Sequence, residues 1–105
     1  MSRIRIGSLA DLPDEAGVLV EVGGHRVAIF RVDGKVYALG DRCSHAEASL
    51  AEGEVFDDEV ECPRHGSAFG LADGVPRSLP ATSPVPIYQA DVEDDVVYLT
   101  IDEES

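Results

Sequence analysis

The chain has 105 residues, which is enough for one domain with a modest core. Its 21 acidic and 8 basic side chains give a formal net charge of -13, which argues against nucleic acid or an anionic membrane as the main partner. Its two cysteines allow at most one disulfide, and neither a signal peptide nor an apolar run of membrane-spanning length is evident. We therefore expect a cytoplasmic protein with reduced thiols.

The first part of the chain predicts an antiparallel meander. The opening segment alternates polar and apolar side chains, which is the period of a half-buried strand. Gly23-Gly24 and Asp33-Gly34 separate β-branched and apolar segments and suit tight hairpin turns, and His25 beside the first turn is expected to be a structural or exposed hairpin residue. The predicted strands lie at residues 3–6, 18–22, 26–32 and 35–39.

A second hairpin is predicted near the C-terminus, where strands at residues 87–92 and 96–101 flank the acidic segment 93–95. No segment has the pattern of a long helix. Residues 41–86 differ from both β regions, because they hold both cysteines, two of the three histidines and all but one of the prolines. Their Pro and Gly content favours loops, and irregular loops of this length need a function or a cross-link to hold them.

Two short motifs in this middle segment each pair a cysteine with a histidine. Cys43-Ser44-His45 is followed, after 16 intervening residues, by Cys62-Pro63-Arg64-His65. Each motif can place a thiolate and an imidazole on the same side of a tight loop, so the pattern predicts a metal centre. Two thiolates with two imidazoles suit tetrahedral zinc as well as an iron–sulfur cluster with mixed ligation. Three nearby glycines are expected to let backbone amides approach a bound anion or sulfide closely: Gly53, Gly66 and Gly70.

Here the sequence resembles the Rieske family, whose fingerprint is Cys-x-His followed at a similar interval by Cys-x-x-His. Residues 62–69 look like the second cluster loop of the family, and residues 80–88 are similar to its proline segment. The resemblance implies an all-β Rieske fold, in which an antiparallel β-sandwich base of two sheets carries a small inserted cluster-binding subdomain. Within a single domain of residues 1–105, it implies a base at residues 1–40 and 81–105 and a cluster-binding subdomain at residues 41–80.

The resemblance also implies one 2Fe-2S cluster as the cofactor. Cys43 and Cys62 would hold the inner iron, and His45 and His65 would hold the solvent-facing iron, which is the one reduced. Two neutral imidazoles in place of two anionic thiolates make it easier to add an electron to that iron. The residues implied to lie next to the cluster are Gly66, Ser67, Phe69 and Pro80.

Two departures from the respiratory-complex branch of the family favour its ferredoxin branch. The respiratory branch has one further cysteine in each loop, and these two form a disulfide, whereas this chain has Ala48 and Arg64 at those positions. The respiratory branch also has a Tyr hydroxyl near a ligand sulfur where this chain has Phe69, so one hydrogen bond to sulfur is absent. We therefore expect a midpoint potential in the lower part of the Rieske range, with Ser67 able to donate to a bridging sulfide.

By resemblance, the chain is an electron carrier and not itself an enzyme. Such ferredoxins accept one electron from an NAD(P)H-dependent flavin reductase and pass it to a terminal non-haem iron oxygenase that hydroxylates aromatic rings. A small Rieske subunit of a nitrite reductase and an accessory ferredoxin of iron–sulfur assembly are the alternatives within the family, and a zinc-stabilised interaction module is the alternative from another class. We expect a monomer. The candidate partner-docking residues are Arg42, Arg64 and Arg77.

Overall fold

The computed structural model describes residues 2–42, 48–64, 66–77 and 84–101. Within these ranges the regular structure consists of β-strands and two short 3₁₀ helices, Leu9–Asp11 and Leu50–Glu52, so the all-β prediction is confirmed. No helix in the same ranges has the length and apolar character needed to span a membrane. The strands are β1 (Ser2–Ser8), β2 (Ala16–Val22), β3 (His25–Val32), β4 (Lys35–Gly40), β5 (Glu54–Phe56), β6 (Glu59–Glu61), β7 (Ala68–Gly70), β8 (Ile87–Glu93) and β9 (Val96–Ile101).

Six strands form one antiparallel sheet in the order β1-β9-β8-β4-β3-β2. Its two halves meet where β4 pairs with β8 over a short register that includes Ala38 opposite Tyr88. The sheet folds over at this junction, because side chains from both halves pack into one buried cluster, which we call the base core. The predicted sandwich is therefore present, built from one continuous folded sheet in place of two separate sheets. The fully packed members of the base core include Val27, Ile29, Ala38, Val97, Leu99 and Ile101.

The predicted hairpins are confirmed, and the opening strand takes a place that the sequence did not indicate. The β2–β3, β3–β4 and β8–β9 turns each have two central residues with positive φ, the geometry that matches the right-handed twist of the flanking strands. β1 lies away from the meander and pairs with β9 at the far edge of the sheet. The ring of His25 lies with Nδ1 3.1 Å from the Tyr88 hydroxyl, which confirms its structural role.

Strand β3 is buried on both faces and joins two cores. Val27 and Ile29 point into the base core, whereas Ala28 and Phe30 point into a second buried cluster on the opposite face, and all four are 0% exposed. A continuous apolar run in an antiparallel strand is explained by this double burial. The second cluster, which we call the loop core, also contains Leu39, Leu50, Val60, Cys62, Phe69, Leu71 and Val85.

A separate three-stranded antiparallel sheet, in the order β5-β6-β7, covers the loop core. The expectation that the middle segment consists of loops is therefore wrong for residues 54–56, 59–61 and 68–70. Each of these strands has three residues and places one apolar side chain toward the loop core, namely Val55, Val60 and Phe69. Three residues are too few to show the period of two by which a strand is recognised in a sequence.

Candidate metal centre

The second Cys-His motif lies in the hairpin loop between β6 and β7. The Cys62 N–H donates to the Ser67 carbonyl over 2.7 Å, and the Gly66 N–H donates to the Cys62 carbonyl over 2.9 Å. Cys62 is 0% exposed, whereas Pro63 and Arg64 at the tip of the loop are exposed. The sequence folds in this way because the β6–β7 ladder continues to residues 62 and 67 and Gly66 accepts a φ of +73°.

Two residues predicted to lie beside a cluster are buried on the β7 side of this loop. Ser67 and Phe69 are each 0% exposed. Phe69 pairs with Val60 across the β6–β7 ladder, and its ring packs in the loop core that also contains Cys62. The phenyl ring and the thiol-bearing residue thus share one apolar cluster, and Phe69 itself brings no hydroxyl to it.

Asp41 joins the two segments that flank residues 43–47, where the first Cys-His motif lies. Arg42 forms an isolated antiparallel bridge with Ser49, and the Leu50 N–H donates to the Asp41 carbonyl over 2.6 Å. The Asp41 carboxylate is 1% exposed, and its Oδ1 accepts from Ser49 Oγ at 2.8 Å and from the Ala51 N–H at 2.9 Å. Both flanks of residues 43–47 are therefore attached to one buried side chain.

The remaining predicted ligands fall outside the described residues, as does one predicted neighbour of the cluster. These positions stay predictions, and the described residues bring together the flanks of both motifs around the loop core. Among the described residues, Cys62 is a free, buried cysteine. The predicted site residues outside the described ranges are Cys43, His45, His65 and Pro80.

The expectation for two of the three glycines is wrong. The Gly53 N–H donates to the Leu50 carbonyl, and a Cβ at Gly53 would lie only 2.1 Å from the Glu61 carbonyl oxygen. The Gly70 N–H donates to the Val75 carbonyl, and its open side is occupied by Asp73 Oδ1 and the Arg77 guanidinium. These glycines allow parts of the protein to approach each other closely, rather than admitting a bound anion.

The three candidate docking arginines have different surroundings. Arg42 and Arg64 are exposed; Arg42 directly precedes the first motif and Arg64 lies within the second. The Arg77 Nη1 lies 2.9 Å from Asp58 Oδ1 and 3.3 Å from Glu59 Oε2, so its guanidinium joins the β5–β6 turn to the segment that precedes residue 78. The hydrogen bond that Arg77 donates to Asp58 is the main cause that raises the pKa of Arg77 above its usual value. Docking by any of the three stays a prediction.

Sequence reasoning missed Asp41 as a residue of the site. The available signal was its place two residues after the end of a predicted strand and two residues before Cys43. An acidic residue at a strand end is usually solvated, so only the burial and the bonds seen in the fold distinguish Asp41 from the other carboxylates of this acidic chain.

The chain matches the Rieske [2Fe-2S] domain over residues 2–89, a range that includes both motifs and the strands that position them. The chain belongs to the Rieske family. Its cofactor is accordingly a Rieske-type 2Fe-2S cluster, which decides against the zinc-stabilised interaction module.

Three similar proteins cover nearly the whole Rieske chain. The ferredoxin subunit of a 3-phenylpropionate/cinnamic acid dioxygenase from Photorhabdus laumondii is 40% identical over 105 residues, covering 99% of each chain. A solved complex of reduced oxygenase and oxidized ferredoxin in carbazole 1,9a-dioxygenase contains a chain with a TM-score of 0.87 and 35% identity, covering 92% of this chain and 100% of that one. A putative NADH-dependent nitrite reductase small subunit from Mycobacterium tuberculosis has a TM-score of 0.85 and 29% identity, covering 93% of each chain.

Proposed function

We propose that this Rieske protein is the ferredoxin of an aromatic-ring-hydroxylating oxygenase system and carries one electron at a time. The observation that carries the proposal is end-to-end similarity, at 40% identity, to a dioxygenase ferredoxin subunit. A second similar ferredoxin has been solved together with its oxygenase. The electron donor in this proposal is an NAD(P)H-dependent flavin reductase in the cytoplasm, and the acceptor is a terminal non-haem iron oxygenase.

The residues available fit a mixed-ligand cluster. We assign the cysteine thiolates to one iron and the histidine imidazoles to the other, and the buried Cys62 beside an exposed loop tip supports this division between an inner and an outer side. Mixed ligation of this kind supplies one-electron chemistry at about -150 to +300 mV. The proposed ligands are Cys43, His45, Cys62 and His65, within a cluster-binding subdomain proposed at residues 41–80.

The exposure of the second loop supports electron transfer through this end of the molecule. Pro63 and Arg64 on one side of His65, and Gly66 on the other, are all exposed. Arg42, which precedes the first motif, is exposed as well. A partner that docks on this end would contact Pro63, Arg64 and Gly66 directly, because all three are exposed.

The net charge of -13 sets an expectation for how partners are recognised. A strongly acidic carrier is attracted to basic docking surfaces, and such steering weakens as ionic strength rises because salt screens the charges. We expect the rate of reduction by the reductase to fall between low and physiological salt. A rate that does not depend on salt would contradict steering by charge.

The proposal is tested by reconstituting the electron-transfer chain. The purified holoprotein, which should contain two irons and two sulfides, is mixed with NADH and the flavin reductase and then with the oxygenase of a 3-phenylpropionate dioxygenase system. We expect reduction by the reductase, followed by reoxidation that is coupled to hydroxylation of the aromatic substrate. Reduction without transfer to the oxygenase would overturn the proposal.

The small subunit of a nitrite reductase is the second candidate, because the chain also resembles such a protein with a TM-score of 0.85. At 29% identity this resemblance is weaker than the 40% found with the dioxygenase ferredoxin. Adding the holoprotein to the catalytic subunit of an NADH-dependent nitrite reductase should leave nitrite reduction unchanged. Restoration of nitrite reduction, with no coupling to the oxygenase, would favour the second candidate.

The ligand assignment is tested separately from the partners. His65→Ala and Cys62→Ser should each abolish the visible absorbance of the cluster and most of the bound iron, since each removes a proposed ligand. His25→Ala is the matched histidine control, because His25 contacts Tyr88 in the base and should leave the cluster intact. Retention of the cluster in His65→Ala would contradict the assignment, whatever the partners prove to be.

A further inference from the structure

Asp41 has an unusual position for a carboxylate of this chain. It directly follows β4, its side chain is 1% exposed, and among the described residues only Ser67 is a similarly buried polar side chain. Burial of an ionised carboxylate is costly unless its oxygens find partners. The contacts of Asp41 therefore indicate what its burial provides.

One oxygen of the carboxylate closes the first motif loop. Oδ1 accepts from Ser49 Oγ at 2.8 Å and from the Ala51 N–H at 2.9 Å, and the backbone carbonyl of Asp41 accepts from the Leu50 N–H at 2.6 Å. Three consecutive residues after the loop are thus bound to the one residue that precedes Arg42. The described residues on the two sides of residues 43–47 therefore meet at Asp41.

Within the described residues, the second carboxylate oxygen, Oδ2, has only a more distant, exposed cation near it to balance its charge. Oδ2 lies 3.6 Å from Arg26 Nη2, beyond ordinary hydrogen-bond distance, and the Arg26 side chain is 59% exposed. The same guanidinium lies 3.9 Å from the carboxylate of Glu21, which is 66% exposed. Water screens this shared cation, whereas the Asp41 carboxylate is buried, so its negative charge acts on neighbouring groups through the protein interior.

The bonds to Oδ1 do not by themselves require an aspartate. An asparagine side-chain carbonyl can accept from the same hydroxyl and the same amide. The difference between Asp41 and asparagine at this position is therefore one negative charge. Chain connectivity limits the Cα atoms of Asp41 and Cys43 to a separation of about 7 Å.

We propose that Asp41 positions the first ligand loop and that its buried charge lowers the midpoint potential of the cluster. The proposal rests on Cys43 and His45 as ligands and is independent of which oxygenase or reductase binds. A nearby negative charge disfavours the addition of an electron. Asp41 thus has two separable effects, one from the bonds to Oδ1 and one from the charge.

The charge is tested with Asp41→Asn, which keeps an acceptor for Ser49 and Ala51. We expect the cluster to be retained and the midpoint potential to rise, with a change of about tenfold in the reduction equilibrium, or 59 mV for one electron. Glu21→Gln is the matched control, because it removes the same charge from an exposed carboxylate near the same arginine and should shift the potential far less. Equal shifts in the two variants would overturn the effect of the buried charge.

A second variant tests the charge without touching the bonds of Asp41. Arg26→Gln removes the cation that faces Oδ2, while the backbone of residue 26 still accepts from the Asp41 N–H. We expect the midpoint potential to fall, opposite in sign to Asp41→Asn and by a smaller amount, because the Arg26 side chain is 59% exposed and water screens its charge. Arg5→Gln, in the exposed part of β1, is the matched control, and an equal fall in both variants would contradict the proposal even if Asp41→Asn were to lose its cluster.

The positioning effect is tested with Asp41→Ala, which removes both carboxylate oxygens and keeps the backbone carbonyl that accepts from Leu50. We expect faster loss of iron to a chelator and faster hydrogen exchange in the peptide that covers residues 48–53, whereas exchange in the β8–β9 hairpin should not change. Iron loss and exchange equal to those of the unsubstituted protein would overturn the positioning effect. Cys43→Ser and His45→Ala test the ligand assignment separately. Retention of the cluster in either variant would show that the assigned ligand is wrong, which is a different failure from the absence of an effect of Asp41.

Discussion

The base and the region around β5, β6 and β7 reach burial by different means. The base has strands of six to eight residues that pack two halves of one sheet against each other, so its core comes from regular alternation along the strands. The β5–β7 sheet has three-residue strands and buries its few apolar side chains against the opposite face of β3 and β4. The base is thus held by its own strands, whereas the loop core depends on the base for one of its walls.

The polar contacts of the two regions differ in the same way. In the base, Arg3 of β1 pairs with Glu93 of β8 at 2.7 Å on the surface and stacks on Tyr98 of β9, so these contacts join three neighbouring strands of one sheet. Beside the loop core, Asp41 and Arg77 join segments that share little regular structure. The candidate metal centre therefore lies on the regular six-stranded sheet, whereas its own shape depends on a small number of specific side-chain contacts.

The sharpest test of the shared wall compares two adjacent residues of β3. Phe30→Ala, facing the loop core, should lower the free energy of unfolding by about 3–5 kcal/mol, and Ile29→Ala, facing the base core, by about 2–5 kcal/mol. Only Phe30→Ala should also hasten loss of the cluster at a given stability, because Phe30 and Cys62 share one core. Urea unfolding followed by circular dichroism, with cluster absorbance recorded in parallel, measures both. Cluster loss that tracks stability equally in the two variants would break the distinction between the cores.

The next largest effect is expected where backbone segments approach closely. Gly53→Ala places a Cβ 2.1 Å from the Glu61 carbonyl, next to Cys62, so we expect about 1–3 kcal/mol of destabilisation together with reduced iron content. Gly34→Ala is the control in the base: its φ of +77° should cost about 1–2 kcal/mol, but its surroundings are open. Iron analysis and urea unfolding separate the two variants. Normal iron content in Gly53→Ala would show that the position of β6 is not set by this contact.

A smaller effect on stability, with a clear effect on the potential, is expected for Phe69→Tyr. If the added hydroxyl finds an acceptor at the cluster, the midpoint potential should rise and the free energy of unfolding should change by less than about 1 kcal/mol. The measurements are a redox titration and urea unfolding. A buried hydroxyl without a partner costs about 1–3 kcal/mol, so a loss of that size with an unchanged potential would show that the ring edge faces only the apolar core.

The smallest effect is expected for the surface ion pairs. Arg77→Gln should leave global stability nearly unchanged, because Asp58 is exposed and Glu59 is only partly buried, and should accelerate hydrogen exchange in residues 57–61 and 70–77. Arg3→Gln is the matched control and should affect only β1, β8 and β9. Hydrogen exchange read peptide by peptide provides the comparison. Equal exchange in the two variants around residues 70–77 would show that Arg77 does not hold the segment before the proline-rich part of the chain.

The base could be predicted from the sequence almost strand by strand. Gly23-Gly24, Asp33-Gly34 and the acidic segment 93–95 mark its hairpin turns, because tight turns with positive φ require those residue types locally. The family could be predicted as well, from the Cys-x-His and Cys-x-x-His motifs, since the chemistry of the ligands dictates the residue types. In both cases the information lies within a few neighbouring residues.

Only the tertiary structure decided which segments meet. The pairing of β1 with β9, the two buried faces of β3 and the burial of Asp41 each depend on residues far apart in the chain, and no local pattern specifies them. The surroundings of Gly53 and Gly70 were also not predictable from local sequence, because their neighbours are Glu61, Asp73 and Arg77 and not a bound anion. The sequence by itself determined the turns, the strand segments and the ligand chemistry, whereas long-range packing determined which surfaces enclose the metal centre.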